Sequence, residues 1–370
     1  MSISTSDLTS LSSSASGFVE QEVLEKLHRY RPKDPKDDTV KVLHAFLEHL
    51  GKDGRENLLE DLHSLQTDEE INQHATTLVE GLLFPLRAHS KTPSITISAR
   101  FGVEDSIENI AAALDEPAAR KDQTWLKTAC LRRDDYKCCL SGARDPAHKR
   151  NSTEIIDRTN CAHIIPFCIG NWTNETEQNA VAKIWVSLNR CFPSLRSRIG
   201  LTQSSINEPR NAITMTHGLH VYFGTFDFAL EALREPNSYR IKVFDPQHAF
   251  VRTLPSSGIV TFEQHDARYQ LPSPELLFVH ATIAKILHAT GKAQEADNIS
   301  RDKDSTGVMA RDGSTDITRL LSTTSIGFAY SQIKDPHPSN VHARPATMTD
   351  DGTQKGRKQR SINKKKENVS

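Results

Sequence analysis

Two histidines and one asparagine lie in an interrupted stretch, in an order that suits hydrolytic chemistry. His163 belongs to the short apolar run Cys161–Phe167, which Pro166 ends. Asn211 opens a second, β-branched run, and His220 follows it nine residues later. A neutral imidazole can take a proton from water or bind a metal ion, and a carboxamide both donates and accepts hydrogen bonds. These three residues are therefore the candidates for a compact hydrolytic site.

The pattern around these residues predicts a strand, a long loop, a second strand and a helix. Ile213 and Thr214 are β-branched, which is typical of a strand. Leu219, Phe223 and Phe226 recur at spacings of three and four, so they are expected to share one face of a helix. A hairpin packed on that helix would bring the two histidines and the asparagine together.

The motifs resemble those of the HNH endonucleases, whose domain has the ββα-metal fold. Residues 162–167 read AHIIPF, and residues 211–223 contain N-x-I-T followed by L-H-x-x-F, as in HNH domains of fungal proteins. Upstream, residues 133–142 resemble the R-D-x-Y-x-C-x-x-T-G segment that leads into the same domains. The resemblance spans roughly residues 130–245, about a third of the chain.

The resemblance implies a role for each of the three polar residues. His163 is expected to be the general base that activates water, a contribution of typically ~10²–10⁴-fold. Asn211 is expected to hold the loop and orient the base, and His220 to bind a divalent metal ion. Magnesium, manganese, nickel and zinc are all candidates for the metal. The implied function is metal-dependent hydrolysis of phosphodiester bonds in DNA.

Two positions depart from the usual HNH pattern. Ala162 stands where many of these domains carry Asp or His directly before the base, and Gly224 stands where many carry an acid or His four residues after His220. Nearby residues that could complete the metal shell are His217, Asp227 and Cys161. The missing ligands keep an alternative function open, a catalytically inactive HNH scaffold that binds nucleic acid or protein.

All six cysteines lie between residues 130 and 191 and admit two interpretations. A structural zinc site, and with it a zinc-stabilised interaction module, needs four converging ligands, typically as two close pairs. Here only Cys138 and Cys139 are close in sequence. The other interpretation is a set of reduced, buried thiols, with Cys138 beside Cys161 on neighbouring strands.

The segment from residue 170 to 209 is predicted to be a helical insertion. Asn174 is expected to cap its helix, and Trp185 is favoured as a core residue over a platform for base stacking. Four arginines near the proposed site are candidates for phosphate contacts, with a solvated surface as the alternative. They are Arg190, Arg196, Arg198 and Arg210.

The fold class predicted for the whole chain is α+β. Residues 1–16 are expected to be disordered, residues 17–120 to form a helical region, residues 130–292 to form the HNH-like domain, and residues 295–370 to be a disordered tail. Thr67 and Glu70 have the spacing of a capping box. The hydrophobic content of 36% and the mean hydropathy of -0.52 agree with substantial unpacked segments.

Expectations for the part that follows the motifs are more local. Ala229–Glu231 is expected to close the helix that carries His220. Strands are expected at Tyr239–Phe244, Val251–Leu254 and Val260–Phe262, followed by a helix over Leu276–Leu287 that stops near Gly291.

Charge is unevenly distributed although the net charge is only -1. Residues 1–90 hold 16 acidic and 9 basic residues, which favours a protein partner over DNA for the helical region. The cluster Lys355–Lys366 is either a nuclear-import signal or nucleic-acid arm, or a solubilising tail. No apolar run is long enough to span a membrane and no signal peptide is apparent, so an intracellular protein, nuclear or cytoplasmic, is expected.

Overall fold

The computed structural model describes residues 5–87, 114, 117, 118, 120–151 and 153–305, with side chains described between residues 17 and 298. The basic cluster Lys355–Lys366, the rest of the tail beyond residue 305, and most of the segment 88–119 lie outside the described residues.

Helices form most of the described structure, and five short strands form two sheets. The helices are α1 (Thr5–Arg29), α2 (Thr39–His49), α3 (Lys52–Ser64), α4 (Asp68–Leu78), α5 (Phe84–Arg87), α6 (Arg120–Arg133), α7 (Glu175–Cys191), α8 (Ser194–Ser197), α9 (His217–Gly224), α10 (Pro274–Thr290) and α11 (Lys292–Ser305). The strands are β1 (Thr159–His163), β2 (Ala212–Thr216), β3 (Phe228–Ala232), β4 (Ser238–Val243) and β5 (Ile259–Thr261). A π-helical turn, Val79–Leu83, joins α4 to α5.

The N-terminal helices follow the predicted apolar stripes. The predicted capping box is present, because the Thr67 side chain accepts from the amide of Glu70 and the Glu70 carboxylate accepts from the amide of Thr67. α1 begins at Thr5 and therefore includes residues 5–16. Val23 and Leu27 of α1 pack into the core, and a helix that is nucleated by this packing can be extended by further residues at a low cost in free energy.

The predicted hairpin and helix are confirmed. β1 and β2 pair antiparallel, with Thr159 opposite Thr216 and His163 opposite Ala212. α9 begins at His217, directly after β2, and packs against both strands. The fold over this segment is therefore ββα, with α9 covering the hairpin.

The chain reverses earlier than predicted after α9. Phe226 lies beyond the helix, at a positive φ of 62°, although its side chain is still buried. Ala229–Glu231 does not close the helix and belongs to β3, which pairs with β4. The expectation of a helix end was wrong here because Ala229 and Leu230 are buried by the neighbouring strand and by α10.

The second sheet has the order β3-β4-β5, with α10 packed on β3. The predicted strands at β4 and β5 are confirmed, but Val251–Leu254 lies mainly in a 3-10 helix, Ala249–Thr253. There the amide of Val251 donates to the carbonyl of His248 and that of Leu254 to the carbonyl of Val251, so the backbone turns back on itself.

α10 ends at Gly291, as predicted, with that glycine at a left-handed φ of 81°. Beyond it a further helix, α11, runs from Lys292 to Ser305. Lys292 explains the extra helix. Its buried side chain pairs with Asp38 at 2.8 Å and with Glu295 at 2.7 Å, which docks the start of α11 on the N-terminal helices.

The helical region and the HNH-like region share one hydrophobic core. At the closest approach of α3 and α7, a Cβ added to Gly54 would lie 1.9 Å from the carbonyl oxygen of Cys191. Beside this contact Arg190 pairs with Asp61 at 2.7 Å and with Glu60 at 2.9 Å. Some of the acidic charge of the helical region is therefore neutralised inside the protein.

Candidate functional site

His163 is the last residue of β1 and is half-buried. Its Nε2 lies 3.0 Å from Oδ1 of Asn207, and its ring lies 6.0 Å from that of Phe167. An amide oxygen only accepts hydrogen bonds, so Nε2 carries the proton and Nδ1 keeps a lone pair. Burial lowers the pKa of the His163 imidazole, and the bond with Asn207 opposes that shift only in part. The side chain is thus neutral at neutral pH.

Asn211 is fully buried and fastens the loop that follows His163. Its Oδ1 accepts from the amide of Ile165 at 2.8 Å, and its Nδ2 donates to the carbonyls of Ile165 and Ile206, both at 2.9 Å. Its backbone carbonyl also accepts from the amide of Ile164 at 2.9 Å. The asparagine therefore ties the two residues after His163 to the start of β2.

A buried arginine from the lead-in segment holds Asn211 from the other side. Arg133, with no exposed surface, donates to the carbonyls of Pro209 at 2.7 Å and Ala212 at 2.9 Å, the residues that flank Asn211 closely. Its guanidinium is paired with Asp134 at 2.7 Å. The motif resemblance included this Arg-Asp pair but did not predict that it holds the chain around Asn211.

His217 and His220 lie one turn apart on α9 and face a residue that the sequence did not single out. Nδ2 of Asn160, on β1, lies 3.0 Å from Nδ1 of His217 and 3.1 Å from Nδ1 of His220. The two ring nitrogens thus converge on one atom. Sequence separations of 57 and 60 residues hid this contact, which depends on the register of the hairpin.

The alternation of side chains along β1 divides the candidate site into two halves. Cys161 and His163 emerge on one face of the strand, and Asn160 and Ala162 emerge on the other. His163 and Asn207 form the first half, and the histidines of α9 with Asn160 form the second. Three residues of strand, about 10 Å, separate the Cα atoms of Asn160 and His163.

Two of the residues considered as extra metal ligands have other partners. The partly buried Cys161 thiol contacts that of Cys130, and this hydrogen bond and the loss of hydration both raise the pKa of Cys161, which disfavours the thiolate that a metal needs. Asp227 accepts a hydrogen bond from the Thr225 hydroxyl in the turn after α9, at the opposite end of the helix from His217. Neither belongs with His220 in the structure.

The cysteines do not form a zinc site. Cys138 is buried and its sulfur accepts from the amide of Ser141 at 3.3 Å, and Cys161 has Cys130 rather than Cys138 as its thiol neighbour. Within the ranges that the structure describes, which include all six cysteines, no group of three or more His, Cys, Asp or Glu side chains is arranged to hold a metal ion.

The four candidate arginines separate into two pairs. Arg190 is held by Asp61, and Arg210 pairs with Glu208 and donates to the carbonyl of Ile199. Arg196 and Arg198, around the short α8, are exposed. Trp185, in contrast, is buried and its indole donates to the carbonyl of Ile169 at 2.8 Å, as expected of a core residue.

Residues 138–231 match the family model described as HNH endonuclease. The matched segment is about a quarter of the chain and contains the β1–β2 hairpin, α9 and most of β3. The match confirms the resemblance found in the motifs, and the segment is called the HNH domain below. Neither the curated proteins nor the solved structures contain a match to the chain. No helix among the described residues is long and apolar enough to cross a membrane.

Proposed function

We propose that the HNH domain hydrolyses phosphodiester bonds in DNA with a divalent metal ion, and that His163 is the general base. The state of His163 carries the proposal. A half-buried imidazole with a lowered pKa and Nε2 bonded to Asn207 is neutral near pH 7 and presents Nδ1 as the basic nitrogen. A base of this kind can take the proton from a water that attacks the phosphorus.

Asn211 and Arg133 act as positioning residues in this proposal. The hydrogen bonds of Asn211 hold Ile164 and Ile165, so the main chain after His163 cannot swing away from the hairpin. Arg133 holds the chain on either side of Asn211. Holding the base in one geometry reduces the entropy that is lost on reaching the transition state.

The metal ion is assigned to the half of the site formed by α9. His220 is the residue proposed to hold it, as the family resemblance implies, and the convergence of two imidazole nitrogens near Asn160 fits a cation. A bound divalent ion would stabilise the negative charge that develops on the phosphate oxygens and the leaving group. The exposed Arg196 and Arg198 are proposed to contact flanking phosphates.

The test is cleavage of supercoiled plasmid by the full chain in magnesium, manganese, nickel or zinc. Wild type is expected to nick the plasmid with at least one metal, and His163→Ala is expected to lose about 10²-fold or more in rate. His265→Ala, which removes an exposed histidine next to Glu263, is the matched control and should cut like wild type. RNA and single-stranded DNA in the same assay define the substrate class. Nicking that is unchanged in His163→Ala would refute the base assignment.

A non-catalytic scaffold is the alternative, and one observation favours it. Ala162 is fully buried and Gly224 has no side chain, so the two usual positions supply no ligand. This alternative predicts a folded protein that retains DNA without cutting it under any metal.

A further inference from the structure

The side chains of Asn160, His217 and His220 converge in a way that core packing does not require. His217 is exposed and the other two are half-buried, so burial does not force the three together. In this orientation the Asn160 amide nitrogen faces Nδ1 of both histidines, which accept its two hydrogens in the tautomer that carries the proton on Nε2. The fold therefore holds two imidazole nitrogens beside one polar side chain.

We propose that Asn160, His217 and His220 are the protein ligands of a transition-metal ion. This assignment rests on the proposed function and replaces the two ligands that Ala162 and Gly224 cannot supply. A half-turn of the Asn160 carboxamide exchanges its nitrogen for its oxygen, so that the oxygen would lie beside both ring nitrogens and the three donors could share one ion.

The two replacement ligands, Asn160 and His217, are both displaced in the same direction from the usual ligand positions, Ala162 and Gly224. Asn160 lies on the same face of β1 as Ala162, one side-chain period earlier in the strand. His217 lies one turn before His220, whereas Gly224 lies one turn after it. Both changes move towards the same end of the domain, where β2 passes into α9, because Asn160 pairs with Met215 at the end of β2.

The chemistry of the donors selects the class of metal. Two imidazole nitrogens and one amide oxygen suit borderline ions such as Zn²⁺, Ni²⁺, Co²⁺ or Mn²⁺, whereas Mg²⁺ and Ca²⁺ prefer oxygen ligands. All three donors are neutral. The charge of the ion is therefore not compensated by its protein ligands, which favours an anionic phosphodiester as a further ligand.

The test is titration of the full chain with Co²⁺ alone, followed by visible absorption without DNA. Wild type is expected to bind one equivalent, and Asn160→Ala, His217→Ala and His220→Ala are each expected to bind at least about tenfold more weakly. His265→Ala, which removes an exposed histidine elsewhere, should bind like wild type. Melting in EDTA checks that each variant is folded, and His217→Ala, at an exposed site, carries the test if Asn160→Ala does not fold.

The variant Asn160→Asp distinguishes between two roles of Asn160, that of a metal ligand and that of a purely structural hydrogen-bond donor. Without metal its carboxylate can accept from Nδ1–H of the two imidazoles once they exchange tautomer or take up a proton, so the variant should melt close to wild type in EDTA. With Co²⁺ its carboxylate oxygen should bind at least as tightly as the amide of wild type. A structural role alone predicts that Asn160→Asp binds Co²⁺ no more tightly than Asn160→Ala, and that result overturns the assignment.

The outcomes for metal binding and for cleavage are independent. Loss of Co²⁺ affinity in the three variants with no plasmid cutting by wild type would support the metal site and refute the nuclease. Metal-dependent cutting with unchanged Co²⁺ affinity in Asn160→Ala and His217→Ala would support the nuclease and refute this ligand set. Absence of Co²⁺ binding by wild type also refutes it.

Discussion

Replacing Asn211 by alanine tests whether this residue fastens the loop after His163. The substitution removes three side-chain hydrogen bonds in a fully buried site and leaves an amide and two carbonyls without those partners. At about 1 kcal/mol for each bond, the free energy of unfolding should fall by about 3 kcal/mol. With an m-value of about 3 kcal/mol per M, the urea midpoint should fall by about 1 M.

The measurement is urea unfolding followed by circular dichroism, with two further variants beside Asn211→Ala. Asn189→Ala is the matched control, because the Asn189 side-chain oxygen is buried without a hydrogen-bond partner, and it should change the stability by less than about 1 kcal/mol. Asn211→Asp places a carboxylate oxygen against two carbonyls and should be at least as unstable as Asn211→Ala. A loss below about 1 kcal/mol in Asn211→Ala would show that the loop is held by other contacts.

Three more predictions concern stability and binding elsewhere in the protein. Gly54→Ala puts a Cβ 1.9 Å from a carbonyl oxygen of α7 and should cost about 2 kcal/mol or more, whereas Gly17→Ala meets nothing within 4 Å; comparable melting temperatures would contradict the close packing of α3 on α7. Burial holds the pKa of His280 at about 4, below its ordinary value near 6.5. The neutral imidazole therefore contributes fully to the free energy of unfolding above pH 6.5, and this contribution, up to about 3 kcal/mol, is lost as the pH falls towards 4. Urea unfolding at several pH values should show this loss in wild type and a flatter slope in His280→Gln; equal slopes would assign it to other groups. Arg190→Ala should lower the stability by about 1 kcal/mol and leave the DNA affinity unchanged, whereas Arg196→Ala should leave the stability unchanged and weaken DNA binding. A gel-shift titration beside thermal melting compares the two variants. Weaker DNA binding in Arg190→Ala would place DNA at the ion pair between Arg190 and Asp61.

Local sequence patterns predicted most elements correctly where one rule applied. The helix over Leu276–Leu287 and its stop at Gly291, the cap at Asn174 and the capping box at Thr67 are all present. The errors lie where a neighbouring element decides the outcome. Ala229–Glu231 is compatible with a helix in isolation, and it is a strand because β4 pairs with it.

For the candidate site residues, too, local sequence features were predictable and contacts between distant residues were not. The sequence was enough to propose His163, Asn211 and His220 as a set, because their order and spacing resemble a family motif, and all three lie within the segment that matches the family model. It could not show that Arg190 is occupied by Asp61 or that Cys161 faces Cys130. Those partners lie far along the chain, and only the packing of α7 on α3 and of α6 on the hairpin brings them close.

By itself, the sequence determined which polar residues are candidates for the site and the ββα order of the elements that carry them, because both are local properties of the chain. The tertiary structure alone decided what surrounds these residues. The register of β1 against β2 places Asn160 beside His217 and His220, and the loop from the insertion brings Asn207 to His163. The set of residues proposed to meet the substrate or an ion is therefore decided by strand pairing and loop closure, which act between residues that are distant in sequence.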